Sequence, residues 1–563
     1  MTITRSPQTS HSALQIVRRV IVYTLLFALV VITAIGLSGL VGELIDSGNV
    51  LAQGNSTGLA QSLAFTFIGG PLAAVLWWVL RKKLGEQSER SSLAWGLYLG
   101  VAQIVALITG ATTFLITIAT FVEGEARPRG IATGTIWLLV WAAHRSLSRR
   151  AATHPSRLAT VPAILGQVYA LVITVGGATT LLTQVFNETI HSLTEAVSVG
   201  DPWWRPALQS LVWAVAGAAI WWWFWVHEGV RLFRSGLADL AVILVGVLGS
   251  CLLTLAGVGS ALYVLLRLIA DRTEPLSQLL DPLAFALAAS AVGCLVWLHY
   301  HRALLDRSVA TREASRLTVS GVALVVAASG LGVVVNAALA ALAPALAGNT
   351  IRPLLLGGVS ALAVGALLWW RAWQPSISPE PGATGAAARR VYLVVVFGLS
   401  AVVALVTLLV IGYRLFEILL DDVTGTSLVD RIRAPIGLLA ATSLVAGYHF
   451  ILWRRDRDQN EAEAPARLRL IEEVILVTGS DAAAQSQIIH DVSGASVTVW
   501  LRADAGASPD VLDVPCTPGT TSTPGTPHGS SEQLVQALHG IEGKRVLVLI
   551  GTDARIQVVP LGN

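Results

Sequence analysis

The residues best able to do chemistry in this chain are histidines that recur beside tryptophan and arginine. The runs read WWVLRKK from Trp77, WAAHR from Trp141, WWWFWVHEGVR from Trp221, WLHYHR from Trp297, WWRAW from Trp369 and HFILWRR from His449. Twelve of the 18 tryptophans fall in them. Two histidines on facing helices could ligate a haem iron. A haem pair inside a bilayer needs histidines well within its helices, whereas His144, His227, His299, His301 and His449 lie near the ends of apolar stretches. The adopted reading is an interfacial anchor, with tryptophan, histidine and arginine holding each helix end at headgroup level.

Other chemistry has little to stand on. The three cysteines, Cys251, Cys294 and Cys516, form no CxxC, so neither a zinc site nor a disulfide framework is indicated. There is no GxxxxGK[ST], no HExxH and no GxSxG. Ion-coupled transport needs ionisable groups at mid-depth, and here the polar candidates are only Gln103, Gln167, Asn336 and scattered hydroxyls. Asn336 is expected to bond between helices. Arg267, Arg414 and Glu417 sit toward helix ends, and Arg414 with Glu417 has the spacing of a local ion pair. The small-residue runs GGVSALAVG from Gly357 and AVAGAA from Ala214 read as close-packing surfaces. Near the C-terminus, Asp504 and Asp553 read as turn residues, and His490 and His539 as helix-end residues. No residue is assigned to catalysis, to a cofactor or to a metal.

These residues sit on elements that composition makes plain. Hydrophobic residues are 54% of the 563 and charged residues 13%, against about 25% charged in a soluble domain. Mean hydropathy is +0.67. Residues 158–187, 240–266 and 317–351 carry no charge, and a membrane span needs roughly 20 apolar residues. Twelve spans are expected, at 20–42, 61–80, 92–120, 131–147, 160–186, 206–226, 240–266, 282–300, 317–345, 353–370, 391–413 and 435–452. The span at 131–147 is the weakest and borrows Arg145 as a snorkelling end. The first span is too long for a signal-peptide core and reads as uncleaved. Its side of origin carries 23 Lys and Arg residues against nine on the other, which places both termini in the cytoplasm. A net charge of +3 offers no nucleic-acid footprint.

The spans repeat in pairs. Four even members open with proline, at Pro206, Pro282, Pro353 and Pro435, and the even members close on the tryptophan-rich runs. The fourth span lacks an opening proline on this reading. Six helical hairpins of about 75 residues result. Four segments are expected: 1–17 cytoplasmic, 18–457 the membrane repeat domain, 458–466 a linker, and 467–563 a cytoplasmic α+β domain. A second linker runs from Gln374 to Ala388. In the tail, QIIHDVSGASVTVWLRADA from Gln487 matches QALHGIEGKRVLVLIGTDA from Gln536 without a gap. A strand at Leu470 to Thr478, the two copies, and short strands at Val511 to Val514 and Arg555 to Val559 suggest the ferredoxin-like, split βαβ order. The tract from Pro515 reads as a low-complexity loop.

The pattern of Arg18-Arg19-Val20 or Arg389-Arg390-Val391-Tyr392, then an apolar helix, then closure on Trp with His or Arg, resembles the domain of unknown function 5671. This is an uncharacterised bacterial family of multi-pass membrane proteins with tandem units, and the likeness covers residues 15–455. It implies a bacterial inner-membrane location and carries over no functional residue. The expected class is thus an all-α polytopic membrane protein with a small α+β domain. Its expected role is a non-enzymatic scaffold or sensor that binds a protein partner, or itself, through the tail. The alternative is a transporter or channel for an uncharged or apolar solute. A lipid-modifying membrane enzyme ranks third, because no loop carries a charge cluster suited to it. The orientation is directly testable. Fused after Asn563, green fluorescent protein should fluoresce and alkaline phosphatase should be inactive; the opposite pair would place the C-terminus outside.

Overall fold

The computed structural model describes residues 8–46, 56–125, 127–194, 202–341, 351–377, 386–420, 428–463, 472–478, 482–501, 534, 536–538, 545–550 and 556–561. It divides into two compact units, Met1–Phe450 and Ile451–Asn563.

Among the described residues, the regular elements of the first unit are all helices. Helix α1 (Gln8–Asp46) is followed by α2 (Ser56–Ala64), which runs through a wide π turn (Phe65–Gly69) into α3 (Gly70–Lys83). A short α4 (Gln87–Arg90) leads to α5 (Leu93–Phe121) and α6 (Pro128–Arg149). Next come α7 (Val161–Leu193), α8 (Trp204–Trp222) and α9 (Gly236–Ala241), which widens at Val242–Gly249 and continues as α10 (Ser250–Ala270). The set is completed by α11 (Leu276–Leu305), α12 (Val309–Ala340), α13 (Ile351–Ile377), α14 (Ala386–Leu420) and α15 (Leu428–Glu463).

Among the described residues, eleven helices are long and apolar enough to cross a membrane. They correspond to every expected span but the fourth. That one forms α6, whose 22 residues reach about 33 Å at ~1.5 Å per residue. Arg129, Arg145 and Arg149 hold down its apolar content. Trp137 and Ala132 are nevertheless buried, because α6 packs between α1 and α5. It does open on a proline, Pro128, in its first turn; the expected boundary at 131 had cut it off. Pro206 and Pro353 also lie in first turns. Pro282 and Pro435, expected there too, stand inside α11 and α15. Each forfeits one backbone bond close to a helix end, where water can satisfy the freed carbonyl.

Reciprocal glycines bring the helices of successive hairpins together. Lipid provides no hydrophobic drive between helices, so close packing must supply it. A Cβ on Gly177 of α7 would meet the backbone of Ala214 in α8, and one on Gly217 would meet Thr174 in α7. Gly257 and Gly293 face Ser290 and Thr254 across α10 and α11, while Gly330 and Gly365 face Leu362 and Ala327 across α12 and α13. Gly110 and Gly134 do the same between α5 and α6. The small-residue runs from Ala214 and Gly357 therefore pack as expected through Gly217, Gly358 and Gly365.

The second unit carries a four-stranded sheet of order β2-β1-β3-β4, formed by β1 (Glu473–Thr478), β2 (Ser496–Leu501), β3 (Arg545–Ile550) and β4 (Ile556–Leu561). Helix α16 (Ala482–Ser493) links β1 to β2. Strand β1 pairs parallel with β2 on one side and β3 on the other, and β4 closes antiparallel on β3. The small α+β domain is present, but its topology is not ferredoxin-like, since that order would insert a third, antiparallel strand between β1 and β2, whereas here they pair directly. The internal repeat explains the difference. Glu473 pairs with Ser496 in β2 and with Arg545 in β3, which are matching positions of the two copies. Each copy thus lays its strand against one edge of β1. Ile489 and Leu538, also matching positions, are both fully buried against Val474, Leu476, Val546 and Val548. The strand expected at 511–514 lies outside the described residues. The linker expected at 458–466 is helical as far as Glu463, and the one expected from 374 is helical as far as Ile377.

Gly365→Val should lower stability by about 1–3 kcal/mol, because a branched side chain has no room against α12. Gly398→Ala, with nothing within 4 Å of its Cβ, should leave it unchanged. Thermal unfolding of the purified protein in detergent distinguishes the two.

Candidate functional site

The recurring histidines and tryptophans do not all stay at the rim. Three aromatic clusters form at corresponding ends of the helices. In the first, His144 of α6 is buried with Nδ1 donating to the Val140 carbonyl at 2.8 Å, and Nε2 lies 2.9 Å from the Tyr98 hydroxyl. Tyr98 stacks on Trp95, which contacts Tyr23 and Trp77. In the second, Tyr300 of α11 is buried, and its hydroxyl accepts from Gln167 Nε2 at 2.5 Å and Trp221 Nε1 at 3.1 Å. His299 meets Trp221 and Trp225 edge-on. The wide stretch of α9–α10 accommodates this ring, because a Cβ on Gly246 would collide with Tyr300. In the third, His449 of α15 is fully buried, with Nδ1 2.8 Å from the Val445 carbonyl and the rings of Trp373, Tyr392 and Tyr448 around it. Trp373 Nε1 donates to the Tyr448 hydroxyl at 3.0 Å.

Each cluster draws on several helices, so it locks a helical group rather than anchoring one end. That corrects the interfacial reading for His144, His299 and His449. His227 and His301, by contrast, are exposed beside Trp223 and Trp297. The tyrosines that complete the clusters were missed. Their signal was available, since Tyr98 and Tyr392 both follow close on the start of an odd-numbered span.

The remaining polar candidates are spread apart. Gln167 joins the second cluster. Gln103 Nε2 and Asn336 Oδ1 are buried without a hydrogen-bond partner among the described residues. Arg414 and Glu417 form the expected local pair at 2.9 Å. Arg267 is held by Asp271 at 3.4 Å and Glu274 at 3.1 Å. Other charges bridge helical groups. Arg145 and Arg149 both reach Glu228, Arg19 reaches Glu89 at 2.8 Å, and Arg307 reaches Asp239 at 2.7 Å. Cys251 is buried and Cys294 exposed. Among the described residues, no group of three His, Cys, Asp or Glu side chains is placed to hold a metal ion. His490 Nδ1 lies 3.1 Å from the Ala495 carbonyl, at the turn into β2. His539, Asp504, Asp553 and Cys516 lie outside the described residues.

The membrane unit also contains a groove of about 610 Å³ between α10, α12 and α13. Leu252, Tyr263, Val326, Val333, Leu354 and Val364 are among its walls. The core around Tyr300, Leu255, Val319 and Leu368 closes one end.

Helices of this length and composition, paired through glycine and locked by buried aromatic clusters, define a multi-pass helical membrane protein. Residues 19–143 and 313–448 match the family model for the domain of unknown function 5671. The matches cover most of α1–α6 and most of α12–α15; the helices between them, with the second cluster, lie outside both. No curated protein and no solved structure matches the chain.

Tyr300→Phe removes the acceptor of two buried donors and should cost about 1–3 kcal/mol, whereas Tyr98→Phe, which strips one neutral bond, should cost about 1 kcal/mol. Unfolding midpoints of the purified variants check the order.

Proposed function

We propose that this is a non-enzymatic membrane scaffold or sensor, with a rigid helical membrane unit that displays the C-terminal domain for protein association. The observation that carries this reading is a second sheet face that keeps apolar residues and an exposed tryptophan among its polar positions. One face is buried against α16 and the residues around Leu538. The other presents Ile475 and Val477 of β1, Leu547 and Leu549 of β3, Val559 of β4 and Trp500 of β2, none of them fully buried. The register aligns Trp500, Val477, Leu549 and Gln557 in one row, and Thr498, Ile475, Leu547 and Val559 in the next. A strand with one wet face alternates apolar and polar residues, whereas the central strands run apolar from Val474 to Val477 and from Val546 to Ile550. Trp500 is 58% exposed among the described residues, and aromatic residues of this kind anchor protein interfaces. A second copy of the chain is the simplest cover, because an apolar face of this kind can pair with itself about a two-fold axis.

The recurrence of aromatic clusters and reciprocal glycines supports three copies of a four-helix unit, each made of two hairpins. The charge asymmetry supports cytoplasmic termini in a bacterial inner membrane. Movement of an apolar solute is the second reading, and the groove between α10, α12 and α13 favours it. Its closed end argues against a continuous path.

Full-length protein in detergent should run as a dimer by light scattering, and Trp500→Lys with Val559→Lys should shift it to monomer without changing its unfolding midpoint. Monomeric wild type that binds no partner, with the variants indistinguishable from it, would reject the proposal.

A further inference from the structure

We infer that the groove between α10, α12 and α13 is a phospholipid site, seating one acyl chain of an anionic lipid with its phosphate at Arg352. The inference stands apart from the role of the C-terminal domain. Its first support is length. The α13 wall runs from Pro353 to Val364, about 16 Å at ~1.5 Å per residue, which is close to half of a ~30 Å hydrocarbon core. The groove therefore matches one leaflet. Beyond Val364 the same helices close on the packed core around Tyr300 and Leu368. A chain entering from the α12–α13 connection would end there.

The second support is the behaviour of the glycines. Gly330, Gly358 and Gly365 are occupied by helix contact, since a Cβ on any of them would press on a neighbouring backbone. Gly259 and Gly357 also line the groove, yet a Cβ on Gly259 would meet nothing within 4 Å and one on Gly357 only the Tyr263 ring at 3.8 Å. Helix packing does not require glycine at these two positions. Ser360 donates to the Gly259 carbonyl at 2.5 Å where α13 meets α10, and the missing side chains of the two glycines leave the space beside that contact open. A volume of about 610 Å³ is within the ~300–1,000 Å³ range of small-molecule sites.

The third support is charge. Arg352 immediately precedes the lining residues Pro353 and Leu354 and is exposed. Among the described residues it forms no ion pair, whereas Arg267, near Tyr263, is taken up by Asp271 and Glu274. An unneutralised guanidinium at the leaflet end of an apolar groove is suited to a lipid phosphate.

The test uses the full chain, purified in mild detergent, washed free of loosely held lipid and weighed by native mass spectrometry. Wild type should retain one phospholipid per chain. Gly259→Leu with Gly357→Leu should retain about tenfold less, a loss of roughly 1.4 kcal/mol of binding. Gly398→Leu, which adds the same bulk on α14, should retain it fully. After exchange into mixed phosphatidylglycerol and phosphatidylcholine vesicles, Arg352→Gln should keep a lipid but lose about fivefold of its preference for phosphatidylglycerol. Should the leucine pair fail to fold, wild type labelled with a phosphatidylglycerol carrying a photoreactive acyl chain decides the matter. Crosslinks should map to residues 252–263, 326–333 and 353–364. Wild type that emerges lipid-free, retention unaffected by the leucine pair, or crosslinks confined to other helices would overturn the inference. So would a neutral apolar molecule, or a helix of a second copy, in the lipid's place.

Discussion

Close backbone approach between helices is the contact on which the membrane unit depends. In lipid, burying leucine against leucine gains little over leaving it against an acyl chain. What remains is dispersion at short range and the satisfaction of polar groups. Pairing Gly177 with Gly217, Gly257 with Gly293 and Gly330 with Gly365 removes the side chains that would hold backbones apart. The same device in successive hairpins gives each pair a similar geometry. Aromatic clusters can then form at equivalent ends, because the rings arrive from helices already set at a common spacing.

Those clusters add what glycine contacts lack, which is specificity. A hydroxyl such as that of Tyr300 must find partners when buried, and it does so from two other helices, through Gln167 and Trp221. Such an arrangement selects one register between hairpins. The ion pairs Arg145–Glu228 and Arg307–Asp239 act at the helix ends in the same sense, tying one helical group to another. The polar inventory of this membrane unit is largely consumed by structure. That is consistent with a protein that holds a shape and presents a domain rather than one that moves charge.

The C-terminal unit solves a related problem by duplication. A single strand, β1, offers two edges, and the two copies of one α-β segment take one each in identical register. Both copies then contribute helix residues to one core. The opposite face keeps its apolar residues, which is the feature that points outward to association.

Apolar content and charge alternation were enough to determine the membrane class, eleven of the twelve spans and the hairpin order, because crossing hydrocarbon imposes a length and composition that any sequence must display. The family likeness was legible for the same reason, in the spacing of arginine, tryptophan and histidine. The tail's duplication was visible as text. Its pairing was not, since both the split βαβ order and the observed order satisfy the same string of elements, and only strand pairing separates them. Likewise the histidines were legible as a group near the rim. Only tertiary structure could show that His144, His299 and His449 turn inward to aromatic rings tens of residues away, while His227 and His301 turn out. Rotation of a helix about its axis is decided by its neighbours' surfaces, which no local pattern records. The residues that looked most able to do chemistry proved to be where the helical groups are locked together.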